Sequence, residues 1–241
     1  MKCIILAAGK GTRIPQITKK KPKCLITINK ISILKRQINF LKRLGINDII
    51  VVKGYKKNQI NLKNIKYITN KNFENNEQLE SLFTANKELN SDLIITFADT
   101  VYDFSVLKQL LLSRKKEIVL GVDRNWKKRY KFRYDHPYSQ ADKVRINKKG
   151  EVKIIGKQMK LKDTNAEFLG ILKLSKKGCQ TFIKNFKILQ KKVDTKKLQI
   201  HHFIQYLINN DKKISTCNIE GQFMEIDTFN DYKIANKIFT N

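Results

Sequence analysis

The stretch Lys2-Cys3-Ile4-Ile5-Leu6-Ala7-Ala8-Gly9-Lys10-Gly11-Thr12-Arg13 decides how the rest of the chain is read. Lys2 to Ala8 has the short, continuous apolar pattern of a buried strand, and the glycines that follow make a loop. Working outward, Ser32 to Leu44 places Ile33, Leu34, Ile38, Leu41 and Leu44 at helical spacing, and Gly45 stops that helix. Asp48 to Lys53 predicts a second strand, Ile65 to Thr69 a third, Glu77 to Asn90 a helix, and Leu93 to Phe97 a further strand ending at Ala98-Asp99. Strand and helix alternating in this way predict an α/β fold, a mostly parallel sheet with helices on both faces. Ligands of such sheets gather at the carboxyl ends of the strands.

The second half changes character. A helix near Ser105 to Arg114 and a strand at Glu117 to Val122 lead into a segment, Asp123 to Tyr138, rich in aromatic and charged residues. Short strands around Lys143–Ile146, Val152–Ile155 and Phe168–Leu174, with the turn Asn147-Lys148-Lys149-Gly150, predict a β-rich flap built onto the same sheet and able to close one side of a cleft. Helices near His201 to Asn209 and Asn230 to Phe239 complete the expected elements. No repeat, Pro/Ser linker or low-complexity tail interrupts the 241 residues, which suit one sizeable core and one active site.

A formal charge of +29 points, taken alone, to nucleic acid, an anionic membrane surface or a polyanionic substrate. The lysines, however, are spread among asparagines and isoleucines along the whole length, as an AT-rich coding sequence gives, and no nucleic-acid motif with interleaved aromatics accompanies them. No specific nucleic-acid partner is therefore expected, and the charge suits nucleotides and phosphorylated substrates. Cys3, Cys24, Cys179 and Cys217 form no C-x-x-C pair and, with three histidines, no zinc spacing; they read as semi-buried thiols in a reducing cytosol. The apolar run Ile4–Ala8 stops at Gly9, too short for a secretory signal, and nothing approaches the roughly 20 apolar residues of a membrane helix. The expectation is a soluble, cytoplasmic protein with no membrane partner. Nothing in the sequence sets its oligomeric state.

Small residues and glycines let the backbone approach a triphosphate and point N–H groups at it, while Lys10, Arg13 and Lys23 supply charge for phosphates. A glycine loop alone is also what an ordinary strand-to-loop turn looks like, and its spacing is neither that of the P-loop nor that of the dinucleotide fingerprint. Two carboxylate positions add to it. Asp99 closes an apolar strand, and Glu225 and Asp227 lie two apart, on the same side of a strand if they share one. Carboxylate and phosphate oxygens are what Mg²⁺ prefers.

Taken with Lys21-Pro22-Lys23-Cys24-Leu25, the loop Leu6-Ala7-Ala8-Gly9-Lys10-Gly11-Thr12-Arg13 resembles the signature of the sugar-phosphate nucleotidyltransferase superfamily. The resemblance implies a Rossmann-like core in which this loop holds the triphosphate and base. Lys23 then lies at the α-phosphate, Arg13 offsets phosphate charge, and Asp99 and Asp227 bind Mg²⁺. Ala98 stands where the family usually has glycine. Asn76 and Ser81 match the family's asparagine-to-serine stretch near the nucleotide, although a helix N-terminal turn has the same composition. The middle of the chain, from Asp123-Arg124-Asn125-Trp126 through Tyr130, Arg133, His136-Pro137, Ala141-Asp142-Lys143-Val144, Ile155-Gly156-Lys157 and Ala166-Glu167-Phe168-Leu169-Gly170-Ile171, resembles cytidylyltransferases acting on phosphocholine and 2-aminoethylphosphonate, above all domains joined or adjacent to phosphonopyruvate mutases. Asp142 replaces the glutamate usual there.

That likeness implies transfer of CMP from CTP to a small phosphonate or phosphate monoester. Trp126 with Glu225 and Glu167 would hold a cationic head group, although a lone tryptophan is commonly a packing residue. Arg129, Arg133 and His136 would grip the phosphonate or phosphate. By function the chain divides into a nucleotide-binding core (1–122), an acceptor-binding flap (123–175) and closing helices with the second metal carboxylate (176–241). The rival readings are a sugar-1-phosphate nucleotidyltransferase using UTP or dTTP, transfer to a phosphorylated cofactor such as molybdopterin, and a non-catalytic nucleotide-binding regulatory domain.

Overall fold

The structure, a computed structural model, describes residues 1–113 and 116–239. Strand β1 (Lys2–Ala7) leads through a loop to the short helix α1 (Pro15–Thr18) and a hairpin, β2 (Thr27–Ile28) and β3 (Ile31–Ser32). Helix α2 (Ile33–Arg43) starts where the Ser32 hydroxyl accepts the Lys35 amide N–H, a serine cap of the expected kind. Then come β4 (Asp48–Lys53), β5 (Lys66–Thr69), helix α3 (Gln78–Thr84), β6 (Leu93–Phe97), β7 (Thr100–Tyr102) and helix α4 (Phe104–Leu112). The second half supplies β8 (Ile118–Asp123), β9 (Lys143–Ile146), β10 (Val152–Ile155), β11 (Ala166–Leu174), helices α5 (Lys176–Gln190) and α6 (Ile200–Asn209), β12 (Ser215–Asn218), β13 (Phe223–Glu225) and helix α7 (Phe229–Ile238).

Nine strands form one mixed sheet, in which the path β10-β9-β11-β6-β1-β4-β5 carries β8 beside β11 and β12 beside β8. Strands β6, β1, β4 and β5 are parallel, whereas β11 joins β6 antiparallel and carries β9 and β10 with it. Side chains of β1 alternate between two cores. Ile4 and Leu6 pack beneath α3, α5 and α6; Cys3, Ile5 and Ala7 pack against α2 and α4. Helices thus cover both faces, as a parallel sheet requires.

Several elements differ from the periodicity reading. The helix expected over Glu77–Asn90 ends at Thr84 and continues only as a 3₁₀ turn, Asn86–Glu88. The helix expected to reach Arg114 ends at Leu112, and Arg114 itself lies outside the described residues. No element is expected over 176–190, yet the 15-residue α5 is there, capped by Ser175 and burying Cys179, Phe182, Phe186 and Leu189. Its first-turn Gly178 sits where an added Cβ would come 2.0 Å from the Glu117 carbonyl oxygen, so the helix seats directly on backbone. No helix among the described residues is long and apolar enough to cross a membrane.

Three features of the sheet set up the site. Leu6 of β1 pairs with Phe97 of β6, so the loop after β1 and the turn after β6 emerge side by side. The ribbon β7–β13 lies just beyond, with Glu225 opposite Thr100, and the Ile226 N–H donates to the Asp99 carbonyl at 2.9 Å. Residues 99 and 227 are thereby brought together by backbone pairing. Finally, β11 bends at Gly170 (φ +66°), where a Cβ would meet the Phe97 ring, and its register against β8 shifts there. This bend opens a second hollow beside the first.

Candidate active site

Leu6, Ala8, Gly9, Lys10, Gly11, Thr12 and Arg13 line one cavity at the carboxyl ends of β1 and β6, with Lys23, Asp99 and Asp227 at its floor and Asn76 and Ser81 at its far wall. Ala7, the last strand residue, is buried behind the loop in the α2-side core. Gly11 has φ +65°, and a Cβ on it would press on Thr18 and Lys23, so the loop lies tight over the lysine. The Thr18 hydroxyl fixes this turn by donating to the Gly11 carbonyl at 2.8 Å. Gly9 differs: a Cβ there would meet no protein atom within 4 Å. Protein packing does not demand its bareness, and the space beside it opens into the cavity. Lys10 reaches across the mouth to Glu74 at 2.6 Å, an exposed pair that costs little to break.

The floor is a knot of charge. Lys23 Nζ lies 2.9 Å from Asp99 Oδ2 and 2.5 Å from Asp227 Oδ1, so both aspartates converge on one ammonium. Arg13 adds a second cation to Asp227, 2.6 Å from Oδ2. Burial alone would lower the Lys23 ammonium, but Asp227, Asp99 and Glu225 outweigh it and hold it above its ordinary value. Burial likewise works to raise the Asp227 carboxyl, and Lys23 and Arg13 more than reverse this, leaving it well below the usual carboxylate range. Glu225 has no such contact, although Lys23 offsets part of its charge through space. Its half-buried carboxylate makes no hydrogen bond or ion pair among the described residues, and burial, Asp227 and Asp99 push its carboxyl well up.

Behind Asp227 sits a second buried layer. Arg133 Nε donates to Asp231 Oδ1 at 2.6 Å, and its guanidinium also contacts His136 Nδ1 (2.8 Å) and the Glu225 carbonyl (3.0 Å). Asp231 Oδ2 in turn accepts the N–H groups of Asp227 (3.0 Å) and Thr228 (2.9 Å), while Thr228 caps α7. Burial tends to raise the Asp231 carboxyl, and its bonds to His136 and Arg133 overcome that and depress it. Arg133 and His136, expected to grip a phosphonate, are buried at 6% and 2% exposure and bonded into this support; Arg133 also lines the hollow described next, whereas His136 lines neither hollow. Among the described residues, ligand atoms of His136, Glu225 and Asp227 lie within 4.8 Å of one another. Because Mg²⁺ prefers hard oxygen to imidazole nitrogen, the carboxylates of Asp99, Asp227 and Glu225 are the better donors for it.

The second hollow adjoins the first and shares Gln78, Phe97, Lys157 and Glu225 with it. Arg129, Asp142 and Glu167 also line it. Arg129 is ion-paired to Glu167, which the Tyr130 hydroxyl also reaches, and Asp142 lies 3.0 Å from His201 at the start of α6. Trp126 is corrected by the structure: its indole is 1% exposed and packs edge-on against Tyr130 and Tyr138, with centroids 5.4 and 5.5 Å apart, and it lines neither hollow. An amphipathic ring in a charged segment satisfies its apolar area first. Asn70, Gln78, Gln199 and Asp231 escape the sequence reading, and Lys157 enters it only as part of a matched motif, with no role. Only their place between strand ends and helix starts marks them, and isolated asparagines and lysines abound in this chain.

Comparison with known proteins accords with this geometry. Residues 3–149 match the family model described as MobA-like NTP transferase domain. The CTP:phosphoglutamine cytidylyltransferase of Campylobacter jejuni is 30% identical over 251 residues, covering 97% of this chain and 98% of that protein. The choline-phosphate cytidylyltransferase of Streptococcus pneumoniae is 39% identical over 99 residues, 39% of this chain and 43% of its own. Among solved structures, the inositol-1-phosphate CTP transferase of T. maritima superposes with a TM-score of 0.77 at 20% identity over 98% of this chain and 95% of that one, a likeness of fold. The family model spans more than half of the sequence and the first of these relatives nearly all of it, so the chain belongs to the MobA-like NTP transferase family, and its relatives include CTP-using cytidylyltransferases.

Proposed function

We propose that the protein transfers CMP from CTP to a small phosphonate or phosphate monoester, releasing pyrophosphate, with Mg²⁺ held by Asp99 and Asp227. The observation that carries this reading is the convergence of both aspartates on the Lys23 ammonium beneath the glycine loop. A divalent ion suits the same place. Asp99 Oδ1 is buried without a partner, and Glu225 offers an unpaired carboxylate alongside. Mg²⁺ bound there supplies Lewis-acid charge at the phosphates.

An acceptor oxygen attacks the α-phosphorus in line, a new P–O bond forms, and the bond from the α-phosphorus to the bridging oxygen breaks with its electron pair leaving on pyrophosphate. Phosphate monoesters have a second pKa of about 6, so the attacking oxygen is already ionised and needs no general base. What remains for the protein is placement and charge. Lys23 and Arg13 offset developing negative charge, the loop N–H groups line the triphosphate, and Gly9 leaves room for it. The second hollow takes the acceptor: its phosphorus-bearing end lies at the junction beside Lys157, where an oxygen can reach the α-phosphorus, while its amino or quaternary ammonium group lies deeper, among the carboxylates of Glu225, Glu167 and Asp142. Phosphoglutamine, choline phosphate and 2-aminoethylphosphonate, the substrates named for relatives, all join a nitrogen-bearing group to such an end.

The test is pyrophosphate release with each of four nucleoside triphosphates against phosphocholine, phosphoethanolamine, 2-aminoethylphosphonate, phosphoglutamine and glucose 1-phosphate. Turnover is expected with CTP, with a nitrogen-bearing acceptor, and only with Mg²⁺ present. Preference for glucose 1-phosphate with UTP or dTTP would replace this reading, and silence across the panel would make the chain a binding domain.

A further inference from the structure

Asn70 at the end of β5 touches neither hollow, yet it governs two groups on the nucleotide wall. Its side chain is 2% exposed and every hydrogen-bonding capacity it has is used. The carbonyl Oδ1 accepts the backbone N–H of Asn72 at 3.0 Å. A backbone N–H can only donate, so this contact fixes which end of the amide is oxygen. Nδ2 must then face the other way, where it donates to Asn76 Oδ1 at 2.7 Å and to Ser81 Oγ at 3.0 Å.

The consequence falls on Ser81. Its oxygen is already accepting a proton from Asn70, and its own O–H has no acceptor among the described hydrogen bonds. Ser81 is 6% exposed and lines the nucleotide cavity, so this proton is available to a ligand there. Asn76 is constrained in the same sense. Its Oδ1 is taken by Asn70, and one of its two N–H groups reaches back to Asn70 Oδ1 at 3.3 Å, which leaves the other to donate. The wall therefore presents two donors.

We infer that Asn70 is a specificity-positioning residue: by occupying one lone pair of Ser81 Oγ and of Asn76 Oδ1, it turns the Ser81 O–H and one Asn76 N–H toward the cavity as a pair of donors, and so makes the cavity favour cytosine over uracil. Cytosine offers adjacent acceptors at O2 and N3, whereas uracil carries a proton on N3 and would set donor against donor. Sites built around buried donors reject a mismatched partner strongly, because a group left unpaired loses its full solvation. The inference rests on the cytidylyltransferase reading for its reaction but not for its measurement, which is nucleotide binding.

CTP and UTP dissociation constants are measured by calorimetry for the wild type, Asn70→Asp, Asn70→Ala and Ser81→Ala, and kcat/KM for both nucleotides is measured alongside. An aspartate at 70 accepts the Ser81 proton instead of supplying one, so the CTP-to-UTP preference falls roughly tenfold or more in Asn70→Asp. Ser81→Ala, a change that leaves the fold's packing almost untouched, lowers the same ratio, and adding Asn70→Asp to it lowers the ratio no further. A ratio unchanged in Ser81→Ala overturns the inference even where the position-70 variants do not fold. Equal losses for both nucleotides in Asn70→Asp overturn it as well, as does a wild type that binds UTP as tightly as CTP. Selective CTP binding without turnover would instead count against the proposed reaction and leave the Asn70 test intact.

Discussion

Replacing Glu225 by glutamine should stabilise the ligand-free protein while disabling it. Glu225 is a half-buried carboxylate beside two others, with no hydrogen bond or ion pair of its own, and burial, Asp227 and Asp99 raise its carboxyl well above 4.5. Folding therefore favours its protonated form. As pH rises through the unfolded value near 4.5, the wild type loses stability until the folded value is passed, and Glu225→Gln suffers no such loss. Removing a charge that burial and two neighbouring carboxylates disfavour is worth on the order of 2 kcal/mol at pH 7, which raises Tm by roughly 4–8 °C for a chain of this size. Thermal unfolding in EDTA from pH 4 to pH 8 should show variant and wild type together at the acid end and separating toward neutrality. Mg²⁺ should narrow the gap by stabilising the wild type more, and turnover of the variant should fall about a hundredfold. A variant less stable than wild type at pH 7, or a gap that does not change with pH, would refute the reasoning.

Lys23→Ala and Asp99→Asn should each lower kcat by roughly two to three orders of magnitude with the fold intact by circular dichroism; near-normal pyrophosphate release from either would remove it from the chemistry. Asp231→Asn strands Arg133 in the interior and should cost about 3 kcal/mol at pH 7 in denaturant unfolding. Because the Asp231 carboxyl is held below its ordinary 3.8, its contribution is present above that value and lost as pH falls through the folded one, so the variant's deficit should shrink in acid. Gly9→Ala meets no protein atom within 4 Å and should leave Tm unchanged, yet weaken CTP binding about tenfold by calorimetry. Unchanged affinity would mean that the loop does not approach the nucleotide there.

What the sequence discloses of this fold follows from how each element is stabilised. Asp48–Lys53 and Leu93–Phe97 are continuous apolar runs with turn residues beside them, and the structure places strands at those residues. Helix α5 repeats its buried side chains at three- and four-residue steps, but lysines, asparagines and Gly178 blur the pattern and tertiary seating on Glu117 decides it. Strands β7 and β13 have three residues each, too few for any period, and exist because each pairs with the other. The site divides in the same way. Loop, Lys23, Asp99 and Asp227 carry local signatures and meet in space. Arg133, His136 and Asp231 depend on a contact between distant segments, so the charged middle segment reads as ligand-facing when much of it is support for the strand end bearing Glu225 and Asp227.

The charge distribution turns this architecture into a statement about what the cavity accepts. The chain has 50 lysines and arginines against 21 aspartates and glutamates, yet Asp99, Asp142, Glu167, Glu225 and Asp227 all line the two adjoining hollows. Gathering scarce acids in one place raises their mutual repulsion, and the protein immobilises Lys23, Arg13 and Arg129 to contain it. Even so, Lys23 offsets the charge of Glu225 only in part, and burial with Asp227 and Asp99 outweighs it. A bare anion drawn in by the basic exterior would meet carboxylates at the floor, and a bare cation would be repelled before arrival. A polyphosphate carrying its own divalent ion, as the proposed reaction requires, would satisfy both conditions: the surface would attract its net negative charge, and the acidic floor would receive the ion. The ammonium-bearing end of the acceptor answers the same deficit at Glu225, so both substrates of the proposed reaction bring a positive group to the residues that lack one.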